Sequence, residues 1–510
     1  MPNVIVVLGT VMSGIGKGSI AASIASLLSE RGYDTNVIKM DGYLNYDAGT
    51  LDPYRHGEVF VLDDGTECDM DLGTYERFLS KNLSGDNYLT SGKLFYEIIK
   101  KEREGYFKGE DVQFVPHVVN DIIERILTLP GEFIIVEIGG TAGDIENSYF
   151  IEAVRQLSKR VPTAFVVVTY VPEPPSIGEQ KTKPAQQGLR ILLSMGVTPT
   201  FIVARSHRPL EYKAKYKLSL YGGVPLENVI SVPDLPSIYH VPVVLEKQGL
   251  ISKILKLFGY EDESKGTRWE GFVKRCESLE EELTIGVIGK YADFPDAYVS
   301  IRHALIHAGV AVGRKPKIIW INTRKEVKEE DLSSLEAAVI PGGFGKEGAE
   351  GIIKALKILR ENEIPTLAIC RGMQLLAVEI VRDLVGYSDA HTTEIDPNTR
   401  HPVVIEMPGY SRGRLRKGLY PVSIVPGTHL YEVYGSTKTL ERHRHRFYVN
   451  PEYFDVLRDA GAKLSARSGR ILEGIEIGSM IGVQFHPEFL SRPREPSKLF
   501  LDLYKRAIFK

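Results

Sequence analysis

Residues 364–377 read "IPTLAICRGMQLLA", an apolar run that ends at Cys370 and passes through Gly372 straight into a helix-like pattern. A nucleophile on such a strand-to-helix turn is held exposed at the strand's end. The adjoining helix N-terminus favours a thiolate there. Near the C-terminus, "VQFHPEF" supplies His486, with Glu488 two residues on. Cys370 as nucleophile, His486 as base and Glu488 as orienting carboxylate form a triad by role. "PGGFG", Pro341 to Gly345, closes another strand. Its bare backbone can offer N–H groups to an oxyanion beside the N–H of Arg371. A lone cysteine at a strand end is usually just a small buried side chain. Here three motifs fall in order on suitable elements, which favours chemistry.

A second constellation lies at the start. "VMSGIGKGS", Val11 to Ser19, approaches the phosphate-loop pattern G-x-x-x-x-G-K-[ST] but has Val11 for the first glycine and Gly18 for the hydroxyl residue. Gly14, Gly16 and Gly18 alternate, so the backbone can turn its N–H groups toward an anion. Lys17 and the helix beginning near Ser19 add positive charge. Lys39 ends the following strand and points to the same place. Candidate carboxylates for a Mg²⁺ ion are Asp71, in "ECDMDLGTYERF", and Glu137, at the end of "FIIVEIGG".

These residues need two α/β frames. "VIVVLG", "GSIAASIASLLSERG" and "TNVIKMD" make a βαβ unit, which implies a parallel sheet. "LTIGVIGKY", "KPKIIWIN", "EAAVIPGGFG" and "IPTLAIC" alternate with helical patterns in the second half. The fold class read here is α/β, with two doubly wound domains and mainly parallel sheets. The boundaries read are 1–262, a charged linker at 263–282, and 283–510.

At 510 residues the chain is too long for one ordinary core. Apolar content of 43% and a net charge of −3 argue for a water-soluble chain and against a nucleic-acid partner. The three cysteines, Cys68, Cys276 and Cys370, are too few and too scattered for a disulfide framework. No apolar run approaches a membrane span. The compartment expected is the cytoplasm, with no membrane partner.

Residues 283–510 resemble the class I glutamine amidotransferase domain, through the elbow at Cys370, the PGG loop and the HPE motif. The first half is similar to the amidoligase domain of the CTP synthase family. The strings that carry this are "SGIGKG", "YLNYDAGTLDPYRHGEVFVLDDGTECDMDLGTYERF", "VEIGGTAGDIE" and "GEQKTKPAQ", with "DAYVSIRHAL" and "ERHRHRFYVN" beyond them. The resemblance implies a ligase. ATP phosphorylates O4 of UTP, and ammonia from glutamine hydrolysis displaces the phosphate to give CTP. A cobyrinic acid a,c-diamide synthase shares this domain pairing but needs no "GEQKTKPAQ" segment. A septum-positioning ATPase shares the deviant loop but lacks the triad.

By position, the resemblance implies ATP on Gly14, Ile15, Gly16, Lys17, Gly18, Ser19, Lys39 and Asp71, with Mg²⁺ on Asp71 and Glu137. It implies UTP on Ser13, on Lys181, Thr182, Lys183, Pro184, Ala185 and Gln186, and on Lys217. Product CTP, as inhibitor, would meet Asp144, Ile145 and Glu146. Glutamine would be held by Gly343, Arg371, Gly372, Met373, Gln374, Glu394 and Arg446, with Phe344 beside an enclosed ammonia path. GTP as an allosteric activator and a homotetramer are further implications, with filament formation left open. Arg371, Gly42 and Pro233 stand where the family usually has Leu, Pro and Lys. "GYSRGRLRKGLYP" stands where its GTP-linked loop lies.

Overall fold

Strand Asn3–Gly9 is buried along its whole length, as expected for a run of aliphatic residues without alternation. In the computed structural model, which describes residues 1–176, 178–263, 266–410 and 414–509, this strand lies at the centre of a seven-stranded sheet. The strand order is Tyr88–Thr90, Thr35–Asp41, Phe133–Ile138, Asn3–Gly9, Thr163–Tyr170, Phe201–Ser206, Val229–Pro233. Every neighbouring pair is parallel. The strands within 35–138 lie on one side of Asn3–Gly9 and those within 163–233 on the other, so the sheet is doubly wound and opens a crevice at the carboxyl ends of its middle strands. Val6, Val136, Phe150 and Val167 belong to its core.

The chain forms two compact units. One holds Met1–Thr50 and Asp71–Arg275, the other Leu51–Met70 and Cys276–Lys510. Residues 51–70, read above as part of the first domain, thus pack with the second unit. The stretch 263–282, read as a linker, contains the helix Arg268–Glu277. Trp269, Phe272 and Val273 are its buried face, an i, i+3, i+4 stripe. Trp269 Nε1 donates to Ser26 Oγ at 3.0 Å, so the helix is fastened to the first unit.

The second unit is built on nine strands in the order Lys315–Asn322, Glu282–Gly289, Ala337–Ile340, Thr366–Ile369, Met480–Val483, Ile471–Ile477, Lys463–Ser468, Arg416–Ile424, Lys438–His445. The first five are parallel. The remainder run antiparallel. The change of direction has a local cause: Ile477 and Met480 are joined by Gly478 (φ 52°) and Ser479 alone, and so short a link can only return the chain antiparallel. Arg416–Ile424 and Lys438–His445 carry this half to the sheet edge, and the hairpin Phe60–Val61/Glu67–Cys68 belongs to the same unit.

Candidate active site

In the first unit the loop after Asn3–Gly9 takes left-handed backbone at Val11, Gly14 and Gly16 (φ 74°, 73° and 87°). Helix Lys17–Glu30 follows directly. Lys17 Nζ donates to Gly140 O at 2.6 Å, tying the loop to the end of Phe133–Ile138. A Cβ on Gly9 would sit 2.8 Å from Lys17 Cδ, so the glycine leaves room for the lysine to lie back across the sheet. Ser19 Oγ donates to Gly16 O at 2.9 Å.

Lys39 and Glu137 are register partners on adjacent strands. Lys39 Nζ reaches Asp71 Oδ2 at 2.7 Å, Glu137 Oε1 at 3.2 Å and Asp41 Oδ1 at 3.7 Å. Tyr75 donates its hydroxyl to the other oxygen of Glu137. Burial raises the Glu137 pKa, against the pull of Lys39. Burial lowers that of Lys17, against Glu137. A Cβ on Gly18 would lie 2.1 Å from Asp71 Oδ1. The residue that a phosphate loop usually gives as Ser or Thr is a glycine here because a carboxylate occupies the space.

Asp144 accepts from Thr141 N at 2.6 Å and Thr141 Oγ1 at 2.9 Å. Ile145 is exposed. Gly42 closes on Asn147 and Glu146, where a Cβ would lie 2.6 and 2.7 Å away. Thr182 precedes helix Lys183–Ser194, and Gln186 Nε2 donates to its hydroxyl at 2.8 Å. That helix packs on the loop: a Cβ on Gly188 would lie 2.5 Å from Thr10 Cβ. Ala185 is buried, while Ser13 and Lys183 are exposed. Lys181 Nζ meets Glu179 at 2.7 Å. Lys181, Lys213 and Lys217 together lower the Glu179 pKa, so Lys217 joins this basic cluster rather than the Lys39 site.

In the second unit strand Thr366–Ile369 turns at Cys370 (φ 53°, ψ −103°) into helix Arg371–Asp383. That backbone is strained for a residue with a side chain. It is anchored by Cys370 N donating to Val483 O at 2.6 Å. A Cβ on Gly372 would lie 2.6 Å from Ile340 O, so the elbow closes only over glycine. Cys370 and His486 meet above Gly342, where a Cβ would lie 3.5 Å from Cys370 Cβ and 2.8 Å from His486 Cε1. His486 Nδ1 donates to Glu488 Oε1 at 2.7 Å. Burial depresses the imidazole pKa, but Glu488 and Cys370 outweigh it and push the value up to about 10. His486 therefore stands as an imidazolium beside Cys370.

Glu394 gathers Gly345 N at 3.1 Å, Arg446 Nη2 at 3.0 Å and Arg371 Nη1 at 3.5 Å. Gln374 and Met373 turn away from this pocket. Gln374 Nε2 donates to Phe447 O and Gln484 Oε1, and Met373 packs beneath Gly482. Any contact of theirs with a ligand rests on backbone. A cavity of about 100 Å³ adjoins His486, lined by Pro53, Val59, Tyr298, Gly343 and Phe344 among others.

The segment 51–70 is part of this site. Phe60 packs edge-on to Phe489 at 5.0 Å, and Phe489 stacks on His486 at 4.9 Å. Asp63 pairs with Arg442 Nε at 2.6 Å and Glu67 with Arg444 Nε at 2.8 Å. Glu58 accepts from Ser300 N at 3.2 Å at the start of helix Val299–Val312. Sequence reading missed Tyr75, Asp41, Gly140 and this whole segment. The glycines were its one available signal, since each marks a close approach. Residues 411–413 of the loop read as GTP-linked lie outside the described residues.

A family model described as CTP synthase N-terminus matches residues 3–260. A second, glutamine amidotransferase class-I, matches residues 293–506. A CTP synthase of Thermococcus gammatolerans is 46% identical over 99% of this chain and 99% of its own. One from Pyrococcus furiosus is 46% identical over 99% and 98%. One from Coprothermobacter proteolyticus is 44% identical over 99% and 98%.

Gly18→Ser is expected to weaken nucleoside triphosphate binding about tenfold or more by displacing Asp71, while Cys370 keeps its reactivity toward a thiol reagent; titration calorimetry with ATP checks the first part and alkylation rate the second. Unchanged ATP affinity would remove the steric reading. The folded-state pKa of His486 lies above its ordinary 6.5. Its imidazolium thus contributes stability that is complete below about pH 6.5 and is lost as pH rises through about 10. Glu488→Gln removes the strongest raising influence, so urea titrations from pH 7 to 10 should show a flatter decline in the variant than in the parent; parallel declines would contradict the assignment.

Proposed function

The chain belongs to the CTP synthase family, and we propose how its residues divide the glutamine-dependent synthesis of CTP between the two units. The enzyme is a ligase with glutaminase activity, and ATP is a substrate. The diamide synthase reading is set aside, since the family model over residues 3–260 and relatives matched over 99% of the chain point to CTP synthase.

Cys370 attacks the glutamine carboxamide, His486 moves the proton to the leaving ammonia, and Glu488 holds the imidazole. The observation that carries this is the junction of the strained elbow at Cys370 with a carboxylate-held imidazole over a side-chain-free glycine. Gly343, Glu394 and Arg446 bind glutamine with Arg371 and the backbone of Gly372 to Gln374. Thioester hydrolysis then returns glutamate.

In the first unit, Gly14 to Ser19 hold the ATP phosphates. Lys17 and Lys39 neutralise charge as the γ-phosphoryl passes to O4 of UTP, which turns a poor leaving group into a good one. Ammonia adds at C4 and phosphate departs. UTP lies against Ser13, Lys181 to Gln186 and Lys217, and CTP reaches Asp144 to Glu146 as inhibitor. The packing of Gly188 against Thr10 supports a shared site, because it sets the 181–186 segment beside the loop.

Asp71 and Glu137 suit Mg²⁺: both carboxylates already share one cationic group, Lys39. Among the described residues no group of three or more His, Cys, Asp or Glu side chains could hold a metal alone. Phosphate and water oxygens would complete the shell, which is the habit of this ion. Bound there, Mg²⁺ would neutralise phosphate charge. GTP activation and a homotetramer rest on family resemblance, and filaments are left open. Among the described residues no helix is long and apolar enough to cross a membrane, and we read the compartment as cytoplasm.

Cys370→Ala should lower glutamine-driven CTP formation by about 10³ or more and leave ammonia-driven formation near the parent rate. Both are read by CTP chromatography with UTP and ATP, with and without GTP. Equal loss of both activities would refute the division of labour.

A further inference from the structure

Arg371 is 4% exposed, yet its guanidinium is only half engaged. Nη1 faces Glu394 Oε2 at 3.5 Å, and Nη2 is buried with no hydrogen-bond partner. A guanidinium removed from water with donors unmet is a costly feature unless a ligand completes it. Arg446, across the same carboxylate, differs. It donates to Glu394 at 3.0 Å, lies 3.8 Å from Glu406 and covers the rings of Phe344 and Phe447.

The surroundings say what Arg371 waits for. A Cβ on Gly342 would lie 3.5 Å from Cys370 Cβ, and one on Gly343 would lie 3.8 Å from Arg371 Cδ and 4.0 Å from Lys290 Cε. The two glycines therefore form a bare track from the thiol to a pair of cations. Its length is one extended residue, about 3.5 Å. Glutamine has matching chemistry. Its carboxamide is at one end, and its ammonium and carboxylate share one carbon at the other. Glu394 offers the anion for the ammonium, and Arg371 Nη2 lies next to it. His486 Nε2, at the other end of the track, is likewise buried with no hydrogen-bond partner.

We propose that the Arg371 side chain is a specificity-determining contact for the α-carboxylate of glutamine, with Lys290, whose Nζ donates to Phe344 O at 2.7 Å, adding charge beside Gly343. This gives the general glutamine contact of Arg371 above a named side-chain atom and a named group of the substrate, and it rests on the glutaminase reading. It makes the side chain, rather than Arg446 alone, the reader of the substrate's head group.

The test compares kcat/KM for ammonia release from glutamine and from 4-aminobutanamide, which keeps the ammonium and carboxamide and lacks the carboxylate. The ratio of the two is independent of the fraction of folded enzyme. Arg371→Leu is expected to reduce the preference for glutamine by about 10- to 100-fold, mainly through KM. Arg371→Lys should recover part of it. An unchanged ratio, including equal loss with both substrates, would overturn the proposal and assign Arg371 to positioning Glu394 or Cys370. Failure of the parent enzyme to release ammonia from glutamine would overturn the glutaminase reading and this proposal together.

Discussion

Lys39 is the centre of an ionic cluster on which the first unit's sheet end depends. Three carboxylates, Asp41, Asp71 and Glu137, face one ammonium at the carboxyl end of a parallel sheet. Carboxylates at this spacing repel, and burial pushes Glu137 toward protonation. The ammonium offsets that repulsion and holds them in place, and the surrounding sequence follows from that. Gly18 has no side chain because Asp71 fills the space, and Gly139 has none because a Cβ there would lie 2.1 Å from Asp41 Oδ1. Tyr75 is fixed by its donation to Glu137. It is to this cluster that the function proposed above brings a phosphoryl group and its counterion.

The second unit meets a related problem with different parts. Its cation is the His486 imidazolium, its anion is Glu488, and the strained Cys370 backbone keeps the thiol at the sheet end. In both units the reactive groups stand where parallel strands end and helices begin, because only there do strand termini, helix N-termini and short glycine turns converge. The antiparallel half of the second sheet contributes in another way: its edge strand bears Arg442 and Arg444, and His486 N donates to Arg442 O at 2.8 Å.

Much of this was legible in the sequence because it is local. Buried parallel strands announce themselves as unbroken apolar runs; Cys370, Lys39 and Glu137 each stand at or near the end of one, and Lys17 opens the helix after the loop that follows another. The α/β class followed from the alternation of such runs with helical patterns. What escaped notice depends on distant pairs. Nothing in "FVLDDGTEC" says that Phe60 will back Phe489, or that Asp63 and Glu67 will meet arginines of "ERHRHRF". The helix Arg268–Glu277 was hidden for another reason: its apolar stripe is only three residues wide within a charged stretch. The glycines were legible as flexible turns, whereas Gly18, Gly42, Gly188 and Gly372 are chosen for closeness.

The hairpin of residues 51–70 bears on how the molecule is made. Asp63 and its partner Arg442 are 379 positions apart. At about 5–20 residues per second of synthesis, the hairpin waits roughly 20–75 s before the strand that pairs with its charges has been polymerised. The first unit must therefore fold around an excursion whose own partners do not yet exist. During that interval Phe60, Asp63 and Glu67 are uncommitted on a nascent chain, available to chaperones and to wrong partners. Completion of the glutaminase unit is thus paced by the ribosome, and severing the chain at the junction of the units would strip the later half of a piece that only the earlier half can deliver.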